Sequence, residues 1–314
     1  MKRFQRQTKL LGIKSMKKLS KTKLAIVGVG SIGSILAEIL ARSGFTKIKI
    51  IDRDFVEENN IDNQNFRQSD IGLAKVEAVE SRLKEINSKI EISKFATDLN
   101  YINIDKILSD SDIIIDATDN IETRMLLNEF CVKNRKPWFY TAVIKSNGFA
   151  FGIIPDHACL KCFMKIPENL ETCELHGLLM PIAYFLSSKQ ATNIINYVLY
   201  GKRPGFFIAD ISKSKFFEYI VKKNRKCECC VKKRFEYLTG KKNSQITRIC
   251  SNTFQINTNR KINFSKFKFK TKSKFLIHIN KGKLNITLFK DGRVIVNGAK
   301  NEKDALKIAL NFVG

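Results

Sequence analysis

Two cysteine pairs of identical spacing, Cys159-Leu160-Lys161-Cys162 and Cys227-Glu228-Cys229-Cys230, constrain this chain more than any other feature in it. Two C-x-x-C pairs separated by a folded stretch have the pattern of a structural zinc site. To form it, the chain must return the segment after Ile211 to the strand that ends near Ile154. Four thiolates saturate a tetrahedral ion, so such a Cys159, Cys162, Cys227, Cys230 site holds structure and leaves no open position for chemistry. Cys229 competes with its neighbours as a ligand, but Cys227 and Cys230 have the usual spacing. Cys131 and Cys250 read as plain core or surface thiols.

Eight cysteines in 314 residues are too few for a disulfide scaffold, so a reducing, cytoplasmic setting fits best. The basic N-terminus has no apolar run of the signal-peptide kind. The most apolar later segment, Leu178–Tyr200, is broken by Ser187, Ser188, Lys189, Gln190, Asn193 and Asn196, which marks a buried helix rather than a membrane span. The net charge of +26 is uneven: residues 1–200 carry +5 and residues 201–314 carry +21. An acidic partner such as nucleic acid would use that charge. The lysines alternate with core residues instead of clustering, as in Lys266-Phe267-Lys268-Phe269-Lys270, where a period of two puts phenylalanines on one strand face. A solvated lysine face is therefore the preferred reading.

Ahead of the cysteines, Leu24–Val27 reads as a strand running into Gly28-Val29-Gly30-Ser31-Ile32-Gly33 and then a helix. Glycines at this spacing allow a tight turn, close approach of backbone to phosphate and close helix packing. Further strands are expected at Ile48–Asp52, Ile90–Phe95, Ile113–Asp116 and Trp138–Ala142, with helices at Ile32–Arg42, Ala74–Ile86 and Thr123–Lys133. That alternation predicts an α/β fold, a doubly wound Rossmann-like, mostly parallel sheet. A strand at Gly148–Ile154, a helix at Ile182–Tyr200 closed by Gly201 and Pro204, and strands at Phe206–Ile211 and Phe216–Val221 follow. The expected organisation is a nucleotide-binding domain over 1–230 that includes the cysteine pairs, a linker over 231–250, and a small basic α+β unit over 251–314. In that last unit Lys283–Phe289 and Arg293–Asn297 flank the hairpin signal Asp291-Gly292, and Glu302–Phe312 is helical.

Asp52 ends the second strand, 19 positions after Gly33, where a carboxylate meets ribose hydroxyls. On these facts alone a nicotinamide-dependent oxidoreductase is a fair reading. The residues that follow argue otherwise: Asp52-Arg53-Asp54 leads to Asn60, Asn63 and Gln64, then to Asp70-Ile71-Gly72 and Lys75, and Asp116 leads to Asp119-Asn120. Hydride transfer has no need of a lysine and an extra carboxylate at the phosphates. Attack of a carboxylate on the α-phosphate of ATP does, because cations stabilise the developing charge and a carboxylate holds magnesium.

Taken together, the motifs from Arg3 to Cys230 resemble the ThiF/MoeB/HesA superfamily, the ubiquitin-activating-enzyme-like adenylyltransferases. Arg3-Phe4-Gln5-Arg6-Gln7 is similar to the family's opening "R-Y-x-R-Q", Asp52–Asn60 to "D-x-D-x-V-x-x-x-N", Asp70–Lys75 to "D-I-G-x-x-K", and Asp116–Asn120 with Arg124 to "D-x-x-D-N…R". The resemblance implies that Gly28, Gly30 and Gly33 cradle the nucleotide, Asp52 binds ribose, Asn60 and Lys75 bind phosphates, and Asp119 holds Mg2+, with Gln64 and Asn120 beside them. It also implies a homodimer in which Arg6 reaches the nucleotide of the partner subunit. One departure stands out. Where the family has "N-L-x-R-Q", this chain has Asn60-Ile61-Asp62-Asn63-Gln64, so Asn63 replaces a phosphate-binding arginine; either Arg67, four residues on, substitutes for it or the site is weaker.

Cys173, in Thr172-Cys173-Glu174-Leu175-His176, stands where some relatives use a cysteine covalently; its structural reading is a loop thiol. The activity implied is ATP-dependent adenylation of the C-terminal glycine of a small ubiquitin-fold sulfur-carrier protein ending in Gly-Gly. Within the same chemistry the substrate could be a ribosomal peptide or a tRNA nucleoside carboxylate. From other classes, an NAD-dependent oxidoreductase and a zinc-stabilised nucleic-acid-binding module stay in view. Residues 231–314 are too few for a sulfurtransferase domain, so any sulfur donor would be a separate protein.

Overall fold

The computed structural model describes residues 2–164, 177–241, 246–250, 252–258, 260–267 and 273–312. Its two compact units are Met1–Ile71 with Lys75–Lys241, and Lys242–Gly314 with Gly72–Ala74.

The first unit is an eight-stranded sheet of order β3-β2-β1-β4-β5-β6-β7-β8. Strands β1 (Lys23–Val27), β2 (Lys47–Asp52), β3 (Glu91–Ala96), β4 (Ile113–Asp116) and β5 (Trp138–Ile144) run parallel. The antiparallel strands β6 (Asn147–Ile153), β7 (Phe206–Asp210) and β8 (Lys215–Tyr219) extend it. β1 lies between β2 and β4 with Leu24 to Val27 all buried, the continuous apolar run expected of a strand covered on both faces. Helices α3 (Ser31–Arg42), α4 (Lys75–Ile86), α5 (Ile104–Leu108) and α6 (Ile121–Lys133) alternate with the parallel strands, the doubly wound pattern anticipated from sequence.

Helix α7 (Met180–Tyr200) follows the cysteine segment and packs against α3, β5 and β6. Of the polar residues that argued against a membrane span, Ser187, Gln190 and Asn193 are buried, while Ser188 is exposed and Lys189 and Asn196 are half-buried. Ser187 Oγ donates to Ile32 O at 3.2 Å, and Gln190 Nε2 donates to Tyr140 O at 2.8 Å and Phe151 O at 3.2 Å. Asn193 Nδ2 completes the set by donating to Gln190 Oε1 at 3.1 Å. These bonds offset the desolvation of amides and a hydroxyl that would otherwise be costly inside a core. Gly201 ends the helix in the left-handed region at φ 65°, its N–H returning to Tyr197 O. Among the described residues, no helix is long and apolar enough to cross a membrane.

Two regions were not legible in the sequence pattern. The basic N-terminus forms α1 (Gln5–Leu11) and α2 (Ile13–Lys21), hinged at Gly12 with φ 83°. The expected linker over 231–250 is also not a plain linker. Phe235, Tyr237 and Leu238 pack on the core of the first unit, and Ile246–Cys250 is strand β9.

The second unit is an antiparallel sheet, β11-β12-β13-β10-β9, formed with β10 (Thr253–Asn257), β11 (Leu276–Lys281), β12 (Leu284–Phe289) and β13 (Arg293–Asn297). The Asp291-Gly292 hairpin forms as expected, with Gly292 at φ 103°. One sheet face, including Ile256, Ile277, Leu288 and Val294, packs with Ala305 and Ala309 of α8 (Glu302–Leu310). The expected alternating strand at Lys266–Lys270 does not begin as one: Phe264–Lys266 is a 3-10 turn, Phe267 packs on this core, and 268–270 lie outside the described residues.

Candidate nucleotide site and cysteine cluster

Three glycines shape the crossing from β1 to α3, and they do so differently. Gly28 sits at φ 82°, its N–H bonded to Ile51 O at 2.8 Å, and a Cβ there would lie 2.7 Å from Ala117 O. A Cβ on Gly33 would lie 1.9 Å from the Gly28 carbonyl oxygen, so α3 can start this close to the loop only without a side chain. At Gly30 the nearest atom is Gln64 Oε1 at 3.5 Å, an ordinary contact. The first and third glycines serve packing, whereas the second keeps a surface open.

Asp52, at the end of β2, accepts hydrogen bonds from Val29 N at 2.7 Å and Asp54 N at 2.8 Å. One carboxylate thus clamps the glycine loop to the strand end. Burial pushes its pKa up, and the nearby Asp54 adds to that, while Lys75 and the two N–H donors oppose it. Lys75 opens α4 and is buried, with Nζ 3.4 Å from Asp54 Oδ2. Burial alone would lower its pKa, but the charges of Asp54, Asp52 and Asp119 outweigh it, so the ammonium is retained. The structure therefore brings Gly28–Gly33, Asp52, Lys75 and the field of Asp119 together.

Arg53 was quoted in the sequence motif without a role, and it belongs to the same group. Its guanidinium lies 3.8 Å from Asp54 and 3.6 Å from Asp98, and the charges of Asp119 and Asp52 also act on it. Asp98 was missed; it follows β3, in a segment without any motif. Asp116 and Arg124 support this group from below. They pair at 3.3 Å, Arg124 also donates to Thr118 O, and its guanidinium covers the Tyr140 ring at 4.6 Å. Asp116 Oδ1 accepts from Thr118 N and Oγ1 at 2.9 and 2.7 Å. These contacts fix the loop that carries the exposed Asp119. Asn120 caps α6, accepting from Glu122 N and Thr123 N, so its side-chain oxygen is already engaged.

Asn60 is buried and accepts from Glu57 N at 3.1 Å, which holds the turn after β2. Beyond it, Asn63 Oδ1 and Gln64 Oε1 are both buried with no hydrogen-bond partner. The expected substitute for the missing arginine is not available: Arg67 forks onto Glu85 at 3.1 and 2.8 Å, on an exposed surface. Arg6 is exposed on α1. Arg3 bonds Asn87 Oδ1 and Gln7 bonds Arg42 O at 2.7 Å, which ties α1 to the C-terminal ends of α4 and α3. The glycine loop lies at the other end of α3, about 18 Å away for a helix of 12 residues. Arg6 is therefore far from the nucleotide site of its own chain.

Cys159, Cys162, Cys227 and Cys230 converge, with all four sulfurs within 4.8 Å of one another. The Cys159–Cys227, Cys162–Cys230 and Cys162–Cys159 sulfurs are 3.6, 3.5 and 4.0 Å apart. A tetrahedron of sulfurs about 2.3 Å from zinc has edges of about 3.8 Å, so the cluster fits that ion. Burial and the neighbouring Cys162 and Cys227 thiols push Cys230 up to about 11, so without a cation it is a neutral thiol. Cys229 is buried outside the tetrahedron, where its sulfur accepts from Asn128 Nδ2 at 3.3 Å. Asn128 Oδ1 in turn accepts from Leu160 N at 2.9 Å. Glu129, fully buried, accepts from Lys161 Nζ and from the N–H groups of Tyr237 and Leu238. These two residues of α6 brace the first knuckle, and no sequence motif signalled them. Cys173 and His176 lie outside the described residues.

The model of the ThiF family matches residues 4–231. The chain is 28% identical to the Sulfur carrier protein ThiS adenylyltransferase of Bacillus subtilis, over 97% of this chain and 96% of that protein. It is 32% identical to the Adenylyltransferase and sulfurtransferase MOCS3 of Aedes aegypti over 73% of this chain, and the match spans 54% of that longer protein. Among solved structures, E. coli MccB with ATP superposes with a TM-score of 0.65 at 21% identity, covering 73% of this chain and 74% of that one, a likeness of fold. The resemblance read from the motifs is borne out, and this chain belongs to the ThiF family.

Proposed function

We propose that this protein is an ATP-dependent adenylyltransferase that activates the C-terminal carboxylate of a small ubiquitin-fold sulfur-carrier protein ending in Gly-Gly. The observation that carries this reading is the convergence of a buried, charged Lys75 with Asp52, Asp54 and Asp119 on the glycine loop. The names of the relatives support the substrate class: both are adenylyltransferases, and one acts on a sulfur-carrier protein. The oxidoreductase and nucleic-acid readings have no comparable support.

In this scheme Asp52 accepts from ribose hydroxyls with the lone pairs that Val29 N and Asp54 N leave free. The glycine-loop N–H groups and the N-terminus of α3 face the phosphates. A carboxylate oxygen of the carrier attacks the α-phosphorus, the bond to the bridging oxygen of the β-phosphate breaks, and pyrophosphate leaves an acyl-adenylate. Lys75 stabilises the charge that builds on the phosphoryl oxygens, and Arg53 holds the surrounding carboxylates in place. The carboxylate of Asp119, exposed at the mouth of the loop, fits a magnesium ion, which would neutralise the departing pyrophosphate when bound. The four-cysteine cluster fits a structural zinc and takes no part in the chemistry.

The active form in this reading is a homodimer. Leu10 is 82% and Ile13 59% exposed on either side of Gly12, an apolar surface suited to a second copy, and Arg6 lies on the same arm. Arg6 would act on the nucleotide of the partner. Free thiols at the described cysteines suit a reducing cytoplasm, and sulfur would come from a separate donor protein. The test is exchange of labelled pyrophosphate into ATP. Magnesium-dependent exchange stimulated by a Gly-Gly carrier supports the reading, and nicotinamide binding without any exchange overturns it.

A further inference from the structure

The glycine loop, Asp52 and Lys75 account for the phosphates and ribose of ATP and leave its base without a partner. Sheet register gives the base a place. Val27 of β1 is level with Ile51 of β2, and Asp52 is level with Ala96 of β3. The glycine loop and the end of β3 therefore flank Asp52, about 10 Å apart across two strand spacings. A nucleotide with its phosphates on the loop and its ribose at Asp52 carries its base onward to β3.

Two side chains stand there, Arg53 and Asp98. Arg53 Nη1 lies 3.6 Å from Asp98 Oδ1, and its Nε lies 3.8 Å from Asp54 Oδ1, both beyond hydrogen-bond range. Among the described residues the Arg53 guanidinium therefore donates no hydrogen bond, although its side chain is 22% exposed and open to a ligand. Arg67, Arg82, Arg124 and Arg135 of the same unit each donate two. The Asp98 carboxylate, 25% exposed, accepts none among the described residues. Its backbone, in contrast, is fixed. Asn103 Nδ2 donates to Asp98 O at 2.8 Å, and Asn103 Oδ1 accepts from Asn100 N at 2.9 Å. A turn built from asparagines thus holds Asp98 in place while its side chain stays open. Glu122, in the first turn of α6, stands within range of the same pair: burial and the charge of Asp98 push its pKa up, and Arg53 opposes them.

A planar guanidinium stacks on an aromatic face, and a purine ring is such a face. A carboxylate only accepts, so at the edge of a purine it suits the 6-amino donor of adenine and opposes the 6-oxo acceptor of guanine. We propose, resting on the ATP reading above, that Arg53 is the platform for the base and that Asp98 selects adenine over guanine. The two roles are separable: a stacking platform is blind to the identity of the purine, and the carboxylate is not.

The test compares ATP with GTP on zinc-loaded full-length protein, by pyrophosphate exchange and by calorimetry, with a thermal melt of every variant. The parent should favour ATP over GTP at least roughly tenfold in KM. Asp98→Asn, whose amide can turn its NH2 to a 6-oxo group, should reduce that preference roughly tenfold. Arg53→Leu should raise the KM for ATP and GTP alike, roughly tenfold, with the effect falling on KM rather than on kcat. Arg53→Lys keeps the charge without the plane and should not restore the parental KM. The proposal fails if the parent takes GTP as readily as ATP, or if Asp98→Asn keeps the parental preference. It also fails if Arg53→Leu and Arg53→Lys shift melting alone, the behaviour of an ion pair that only ties two loops together. Exchange absent with every nucleotide, and no heat of ATP binding, would overturn the ATP reading and this inference with it; exchange with an unchanged preference overturns this inference alone.

Discussion

The supports of the cysteine cluster and the surroundings of the glycine loop treat their polar groups in opposite ways. Around the cysteine cluster the side chains of Asn128, Glu129 and Lys161 are each bonded to a partner fixed by the fold, and four sulfurs stand at tetrahedral spacing. Around the glycine loop, four carboxylates at Asp52, Asp54, Asp98 and Asp119 share Lys75 and Arg53, and the Asn63 and Gln64 oxygens are buried with no partner. Buried polar groups without partners cost stability unless something arrives to satisfy them. The first region is a staple that completes the fold once an ion is bound. The second region stays incomplete until substrate binds, which is why the chemistry is assigned there.

The largest expected effect tests the staple. Removing zinc with a chelator, or substituting Cys227→Ser, should destabilise the protein on the scale of structural zinc binding, about 10 kcal/mol of apparent free energy. Elemental analysis and thermal melts read this directly. Cys229→Ser should keep one zinc per chain, because that sulfur lies outside the tetrahedron and bonds Asn128. If Cys229→Ser loses the metal and Cys230→Ser keeps it, the ligand assignment is wrong.

Next comes the site itself. Lys75→Met removes a charge that the surrounding carboxylates hold in place, so pyrophosphate exchange should fall about 100- to 1000-fold. Melting should change far less, because a methionine fills the same space and relieves the burial of an ammonium. A large stability loss with exchange kept would reverse the contrast between the two regions. Arg6→Ala and Asp119→Ala should each be inactive alone, yet regain partial exchange after mixing and subunit exchange. Heterodimers that form and stay inactive would show that Arg6 does not act across the interface.

How legible the two regions were in the sequence follows from what each is made of. The parallel strands announce themselves because both faces are covered, so Ile113 to Ile115 or Leu24 to Val27 read as continuous apolar runs. The cysteine spacing and the glycine loop carry their geometry locally, and both formed where expected. The support did not show. Asn128 and Glu129 look like ordinary polar positions on a helix, and only the fold brings them to Leu160, Tyr237 and Leu238. Arg67 looked like a stand-in for the missing arginine because it is near in sequence, but the fold turns it to Glu85. The N-terminal helices escaped notice because lysines at every third or fourth position look like a solvated arm, and only the fold shows that Leu19 of α2 is buried. The second unit showed its hairpin through Asp291-Gly292, and Gly282 between β11 and β12 is a second such signal, whereas β9 and β10 lack one.

The smallest expected effect divides the glycine loop itself. Gly33→Ala would place a methyl group 1.9 Å from a backbone carbonyl, so α3 must move and both stability and exchange should suffer. Gly30→Ala is different. Its φ of −79° suits any residue, but its ψ of −138° lies outside the broad allowed regions, so alanine carries a modest backbone cost there, while the new methyl group would meet only the Gln64 side chain, nearest at Oε1 3.5 Å away. Melting should therefore shift by only a few degrees, the effect of about 1 kcal/mol for a protein of this size. If the open surface at Gly30 is where phosphate approaches the backbone, the same methyl group should raise the KM for ATP several-fold while the fold stays intact. An unchanged KM would mean that the phosphates lie elsewhere on the loop, with Asn63 and Gln64 turned to another part of the nucleotide. A lowered melting temperature with normal KM would instead make Gly30 a packing residue like Gly33, and the loop would then belong with the staple rather than with the open site.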